Sequence, residues 1–171
     1  MTLAIDGVGS HYPVLAAMVA ATRGPVLELG MGDFSTPLLH MICGAVTPPR
    51  RLVSIDSDPA WVEKFKHLRN PSHVIACYKI DVSQGPATCF DRDKWAVAFV
   101  DFAPGEDRTK YIEHNREMVS FFVVHDAEDS PVANYRFAEC FKTFKYVWKW
   151  GACNVDTAVL SDRYPIPLEG L

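Results

Sequence analysis

Apolar and polar positions along the chain follow two alternating periods. GPVLEL (24–29) is a short apolar run opened by Gly-Pro and closed by Gly30, the mark of a buried strand. After it, Leu38, Met41, Ile42 and Ala45 recur at helical spacing, with Thr36 and Pro37 placed as cap and first helical residue. RLVSID (51–56) is a second strand run. SDPAWVEKFKHL then restarts a helix by the same device, Asp58 before Pro59, with Trp61, Phe65 and Leu68 on one face. The rhythm continues with strands at 73–81 and 94–101, a helix over roughly 106–118, a strand at 119–126 and a short helix over 132–142. FKYVWKW (144–150) and VDTAVLS (155–161) are two last strands joined by GACN, with no helix between them.

Strands separated by helices predict right-handed crossovers and a parallel sheet covered on both faces. The last two strands should pair as an antiparallel hairpin. Alternating aromatics and lysines in FKYVWKW suit a half-buried strand at the margin of the sheet, where lysine discourages edge pairing. The expected fold is therefore α/β, a doubly wound, mostly parallel seven-stranded sheet with a C-terminal antiparallel hairpin.

Composition narrows the class of partner. The 171 residues make one domain (1–171), and 49% apolar with 22% charged residues is the balance of an ordinary soluble globule. A net charge of −4 argues against nucleic acid. YPVLAAMVAA is too short to span a bilayer and lacks the basic flank of a secretory signal, so no membrane partner is expected. The five cysteines (43, 77, 89, 140 and 153) are odd in number and never spaced as CxxC. They read as reduced thiols of a cytoplasmic protein without a zinc site.

The candidate chemistry lies where the strand runs end. Glu28, Asp56, Asp81 and Asp101 close or nearly close successive strands, on the side where open α/β sheets bind ligands. The loop VLELGMGDFSTP carries Glu28 before Gly30 and Asp33 after Gly32, with no lysine or arginine. Helix N-termini attract phosphates, but carboxylates around this one oppose a pyrophosphate. Asp56, at the end of the second strand, is placed to accept hydrogen bonds from both hydroxyls of a ribose. Together they point to a nucleoside whose nearby part is cationic; the plainer reading is a tight turn on a doubly wound sheet.

ELGMGDFST resembles the E-x-G-x-G signature of class I S-adenosylmethionine-dependent methyltransferases, and the resemblance covers roughly residues 12–162. It implies a Rossmann-like methyltransferase fold with S-adenosylmethionine as cofactor. Glu28, Gly30, Met31 and Gly32 would serve its methionine end, Asp56 and Ser57 its ribose, and Asp81 and Val82 its adenine. Asp81 also reads as a helix cap or turn residue. Ser35, where many nucleotide folds have a third glycine, brings a hydroxyl to the cofactor or caps the helix. His11 in GSHYP, the second candidate base beside His125, belongs to a segment that folds over the cofactor in this family, and Asp101 can face the sulfonium.

VDFAPGEDR and VVHDAED bring Asp101, Glu106, Asp107, Asp126, Glu128 and Asp129 to one end of the sheet. Here the chain resembles the small catechol-type O-methyltransferases, which hold magnesium with an aspartate after strand four and an Asp-Asn pair after strand five. Asp101 and Asp126 match, but Ala127 replaces the asparagine, so magnesium is not favoured and no metal ligand is assigned. His125 is the candidate general base, with Asp126 to orient it. Strand alternation would turn the two to opposite faces if the strand ran through 126, which leaves a structural histidine as the other reading.

The expectation is transfer of a methyl group to oxygen or nitrogen of a small-molecule acceptor. Contacts should come from residues 1–13, the loops after 101 and 126, and a second subunit if the chain forms a homodimer. Two alternatives stand beside it. One is an S-adenosyl-ligand-binding module without turnover. The other is a dinucleotide-dependent oxidoreductase, which would need a pyrophosphate beside Glu28 and lacks the third glycine.

Overall fold

A computed structural model of the chain describes residues 9–80, 82, 94–128, 135–151 and 155–168. In chain order the elements are α1 (Tyr12–Ala21), β1 (Val26–Leu29), α2 (Ser35–Gly44), β2 (Leu52–Asp56), α3 (Pro59–Phe65) and β3 (His73–Cys77). There follow β4 (Trp95–Val100), α4 (Arg108–His114), β5 (Val119–His125), α5 (Phe137–Lys142), β6 (Tyr146–Trp150) and β7 (Thr157–Ser161). All seven strands form one sheet in the order β3-β2-β1-β4-β5-β7-β6. The first five are parallel, and β7 runs antiparallel to both β5 and β6. The strand order reverses between β1 and β4, which opens a crevice at their carboxyl ends.

Both faces of the sheet are covered, as strands buried on two sides require. Val26, Val97, Phe99 and Val123 pack with Val14, Leu15 and Met18 of α1 and Leu38 and Leu39 of α2. Their neighbours Leu27, Ala98, Phe122 and Val124 point the other way, toward Tyr111, Ile112, Phe137 and Phe141 of α4 and α5. All four residues of β1 are buried, which places it at the centre.

Local signals set several boundaries. Asp58 accepts a hydrogen bond from the Ala60 amide at 2.8 Å, with Pro59 as the first helical residue of α3. The cap expected at Thr36 is not one. Helix α2 begins at Ser35, and Thr36 is buried with its hydroxyl turned to Glu28. The helix expected over 106–118 divides into a 3-10 turn, Gly105–Asp107, and α4. Asn115 ends it by turning its side-chain amide onto the Tyr111 carbonyl at 2.8 Å. Helix α5 starts only at Phe137, and residues 132–134 of the expected helix lie outside the described residues. In β6 the expected alternation holds, with Val147 and Lys149 exposed and Tyr146, Trp148 and Trp150 half-buried on the marginal strand. No helix among the described residues is long and apolar enough to cross a membrane.

Candidate functional site

The glycine loop lies at the reversal point. Gly30 takes φ +90°, and a Cβ there would lie 2.2 Å from the Asp101 carbonyl oxygen. The demand for glycine at this position thus comes from the end of β4. Gly32 differs: its φ is not left-handed, and a Cβ would meet only the Ser35 hydroxyl, at 3.3 Å. Among the described residues nothing else stands within 4 Å of that Cβ.

Glu28 lies wholly buried under the loop. Its Oε1 accepts from the Thr36 hydroxyl at 2.9 Å, and that hydroxyl accepts from the Gly32 amide at 3.1 Å. Burial pushes the Glu28 carboxyl up to about 7, against the hydrogen bonds of Ser35, Ser54 and Thr36 that favour its charge. Glu28 therefore shapes the loop through Thr36 rather than facing solvent. Asp56, on the adjacent strand, accepts from the Met31 amide at 2.8 Å through Oδ2 and from the Asp58 amide at 2.8 Å through Oδ1. It is half-buried. Met31 is buried against Val62, Phe65 and Ile75, Ser35 is buried beside Gly32, and Ser57 is exposed. Val82 packs against the core, while Asp81 lies outside the described residues.

A second cluster forms at the ends of β4 and β5. Asp126 takes φ +55°, so β5 stops at His125 and the alternation expected through 126 is broken. His125 and Asp126 consequently face each other instead of opposite sides of the sheet. His125 Nδ1 lies 3.3 Å from Asp101 Oδ1 and 3.4 Å from Asp126 Oδ1. Its Nε2 is 3.1 Å from the buried Ser10 hydroxyl. His11 completes the group, its ring centroid 4.6 Å from His125 and 4.7 Å from Phe99. His11 is 3% exposed, and neither ring nitrogen has a hydrogen-bond partner among the described residues. Burial, and then His125, lower its pKa to about 4, so the ring is neutral near pH 7.

The sequence reading passed over the residue that organises this cluster. Two carboxylates this close require a cation, and Arg108, at the start of α4, supplies it. Its guanidinium reaches Asp101 Oδ1 and Asp126 Oδ2, each at 3.0 Å. It also donates to the carbonyls of Phe102 at 2.8 Å and His125 at 3.3 Å, and lies over the Tyr135 ring at 5.2 Å. The available signal was the arginine of GEDR, the first cation downstream of Asp101. The Asp101–Asp126 pair therefore does not fit magnesium. A guanidinium fills the gap between the two carboxylates, and the buried Ala127 methyl offers no oxygen where the resemblance called for an amide. Of the other acids, Asp107 pairs with Lys110 at 2.8 Å and Glu128 accepts from the Asp156 amide at 3.2 Å. Glu106 is exposed, and Asp129 is outside the described residues.

No known family model matches the chain, and no curated protein matches its sequence. Solved structures do match its fold. A SAM-dependent O-methyltransferase from Thermotoga maritima aligns with a TM-score of 0.64 at 14% identity, over 88% of this chain and 63% of that one. This chain thus spans less than two thirds of the Thermotoga protein's length. An rRNA methylase from Streptococcus thermophilus aligns at 0.62 with 8% identity, covering 86% of this chain and 94% of its own. The O-methyltransferase TomG from Streptomyces achromogenes, solved in complex with SAM, aligns at 0.57 with 17% identity over 91% and 87%. With its strand order, its terminal hairpin and these likenesses, the chain has the Rossmann-like fold of the class I S-adenosylmethionine-dependent methyltransferases.

Proposed function

We propose that the chain transfers the methyl group of S-adenosylmethionine to an oxygen or nitrogen of a small-molecule acceptor. One observation carries this reading: the cation-free Gly30–Gly32 loop, tied by the Met31 amide to Asp56 at the point where strand order reverses. The open side of Gly32 and the half-buried Asp56 carboxylate fit the nucleoside and methionine parts of that ligand. When bound, S-adenosylmethionine supplies an electrophilic methyl group on a positively charged sulfonium.

The chain's own residues then divide the work. Asp56 accepts from the ribose hydroxyls with the lone pairs that the Met31 and Asp58 amides leave, with Ser57 beside it. Val82 flanks the adenine, and His11 and Ser35 close the cleft. Glu28 acts one step away, through Thr36 and the Gly32 amide. Methyl transfer is an in-line displacement, so alignment and desolvation of the acceptor are the main tasks. His125 serves as general base. Ser10 at Nε2 and the carboxylates of Asp101 and Asp126 beside Nδ1 orient the imidazole, and the two acids stabilise the imidazolium once it has taken the acceptor's proton. Arg108 fixes both carboxylates for that role. Glu106 and Glu128 near this end, with the net charge of −4, disfavour a polyanionic acceptor.

The deciding experiment pairs binding with turnover. S-adenosylhomocysteine should raise the melting temperature by mass action, whereas NAD should not. Methyl transfer to a panel of phenols, catechols and amines should then separate an enzyme from a binding module. NAD binding without any S-adenosyl ligand would overturn the reading in favour of an oxidoreductase.

A further inference from the structure

We propose that His11, Asp101 and His125 form a binding site for a late first-row transition-metal dication such as Zn2+ or Co2+. The three donors come from the segment before α1, the end of β4 and the last residue of β5. One ligand atom from each lies within 4.8 Å of the other two. Two imidazoles and one carboxylate on a common centre suit these ions and leave coordination positions open, whereas magnesium and calcium favour all-oxygen sets.

The spacing is close to what coordination needs. Nitrogen and oxygen ligands sit about 2.0–2.1 Å from a tetrahedral zinc, hence roughly 3.4 Å from one another. His125 Nδ1 and Asp101 Oδ1 are already 3.3 Å apart. Since no pair exceeds 4.8 Å, His11 has at most about 1.4 Å to close, which is within reach of a small ring movement.

The independent pointer to a ligand is His11. It is 3% exposed, and both ring nitrogens lack a hydrogen-bond partner among the described residues. Buried polar atoms are nearly always partnered, so an imidazole held this way calls for an explanation. A metal ion bound to one nitrogen supplies it.

The surroundings support the first ring of ligands. Ser10 stands 3.1 Å from His125 Nε2, placed to take that N–H while Nδ1 binds metal, the outer hydrogen bond that ligating histidines commonly make. Arg108 Nη2 reaches the same Asp101 Oδ1 at 3.0 Å, so the metal takes that oxygen's second lone pair while the guanidinium fixes the carboxylate. Its single positive charge against Asp101 and Asp126 leaves one net negative charge for a dication to meet. The site shares Asp101 with the magnesium position of the catechol-type enzymes but uses neither Asp126 nor residue 127, and it takes two imidazoles, one of them from the segment before α1.

A consequence rests on the proposed function. Metal and proton compete for the His125 imidazole, so a metal-loaded chain loses it as a base. Zinc should inhibit turnover.

Co2+ binding to the full chain, without cofactor or acceptor, tests the site separately from the methyltransferase reading. The titration uses Cys77→Ser protein, so the exposed thiol of Cys77 does not compete. One equivalent should bind with visible d–d absorption. His11→Phe, which keeps an aromatic ring against Phe99, should weaken binding at least a hundredfold, and Ser10→Ala by about tenfold. His11→Gln serves as second variant if the phenylalanine protein does not fold. Absence of a cobalt site tighter than roughly 100 µM, or wild-type affinity in the folded His11 variant, would overturn the proposal. Unchanged turnover by zinc-loaded protein would sink the inhibitory consequence.

Discussion

Arg108 and Asp126 meet at 3.0 Å, Nη1 to Oδ2, only because the backbone at 126 turns into the left-handed region. A continued β5 would have sent the Asp126 side chain to the face opposite His125. The turn instead gathers two carboxylates and a histidine from the ends of two strands around an arginine at the start of α4. This ion cluster should therefore matter to folding as well as to catalysis.

Replacing the cation tests that directly. Arg108 is buried, and the side chains of Asp101 and Asp126 are 26% and 31% exposed. Arg108→Met leaves both acids without their counter-charge and should cost about 3 kcal/mol, the low end for breaking a buried ion pair because water still reaches the acids. Adding Asp126→Asn to Arg108→Met should restore part of the loss. Urea unfolding of the single and double variants measures both effects. An Arg108→Met protein as stable as the parent would show that the cluster is structurally idle.

The two loop glycines should separate folding from binding. Gly30→Ala puts a methyl group against the Asp101 carbonyl at a φ of +90°, so it should lose at least about 2 kcal/mol of stability. Gly32→Ala needs only a shift of a few tenths of an ångström by the Ser35 hydroxyl, 3.3 Å from the added Cβ, so it should lose little stability yet bind S-adenosylhomocysteine less tightly. Normal binding by a folded Gly32→Ala protein would reduce the loop to a turn.

Asp56→Ala frees the Met31 and Asp58 amides and, on the proposed function, removes a charged acceptor from the ribose. Hydrogen bonds to a charged group are worth about 1.5–3 kcal/mol, so affinity for S-adenosylhomocysteine should fall roughly tenfold to a hundredfold. Calorimetry gives the dissociation constant. An unchanged value would assign Asp56 to holding the loop alone.

Buried titratable groups give the stability a worked-out pH dependence. The carboxyl of Glu28 rises from 4.5 to about 7 on folding, so its contribution is greatest below 4.5 and is lost as pH climbs through 7. His11 and His73 fall from 6.5 to about 4, and their contributions are present above 6.5 and lost as pH drops through 4. Between 4.5 and 6.5 two histidines oppose one carboxyl, so stability should rise with pH. Glu28→Gln keeps an oxygen for the Thr36 hydroxyl and should make that rise steeper. Urea midpoints across this range check the slope; identical slopes in parent and variant would refute the assignment.

Chelation bears on magnesium. With Arg108 between the two acids, turnover should survive EDTA, and Asp126→Asn should impair acceptor use more than cofactor binding. Complete loss of activity in chelator, recovered on adding magnesium, would contradict this.

The sequence by itself determined the strand runs, their alternation with helices, the terminal hairpin and the Asp58–Pro59 helix start. These follow from local periodicities and from short-range hydrogen bonding that a few consecutive residues specify. It also brought out Gly30, Asp56, Asp101, His125 and Asp126, because acids, a histidine and glycines at strand ends are visible without a fold. The tertiary structure alone decided how they act. Insertion of β7 between β5 and β6 is a choice of partner strand that no local period encodes. The burial of Glu28 and its diversion onto Thr36 depend on α2 packing over β1. The Arg108 clamp and the meeting of His11 with His125 join residues far apart in the chain. Electrostatics and burial act through space, so their outcome is set only once the strand ends are side by side.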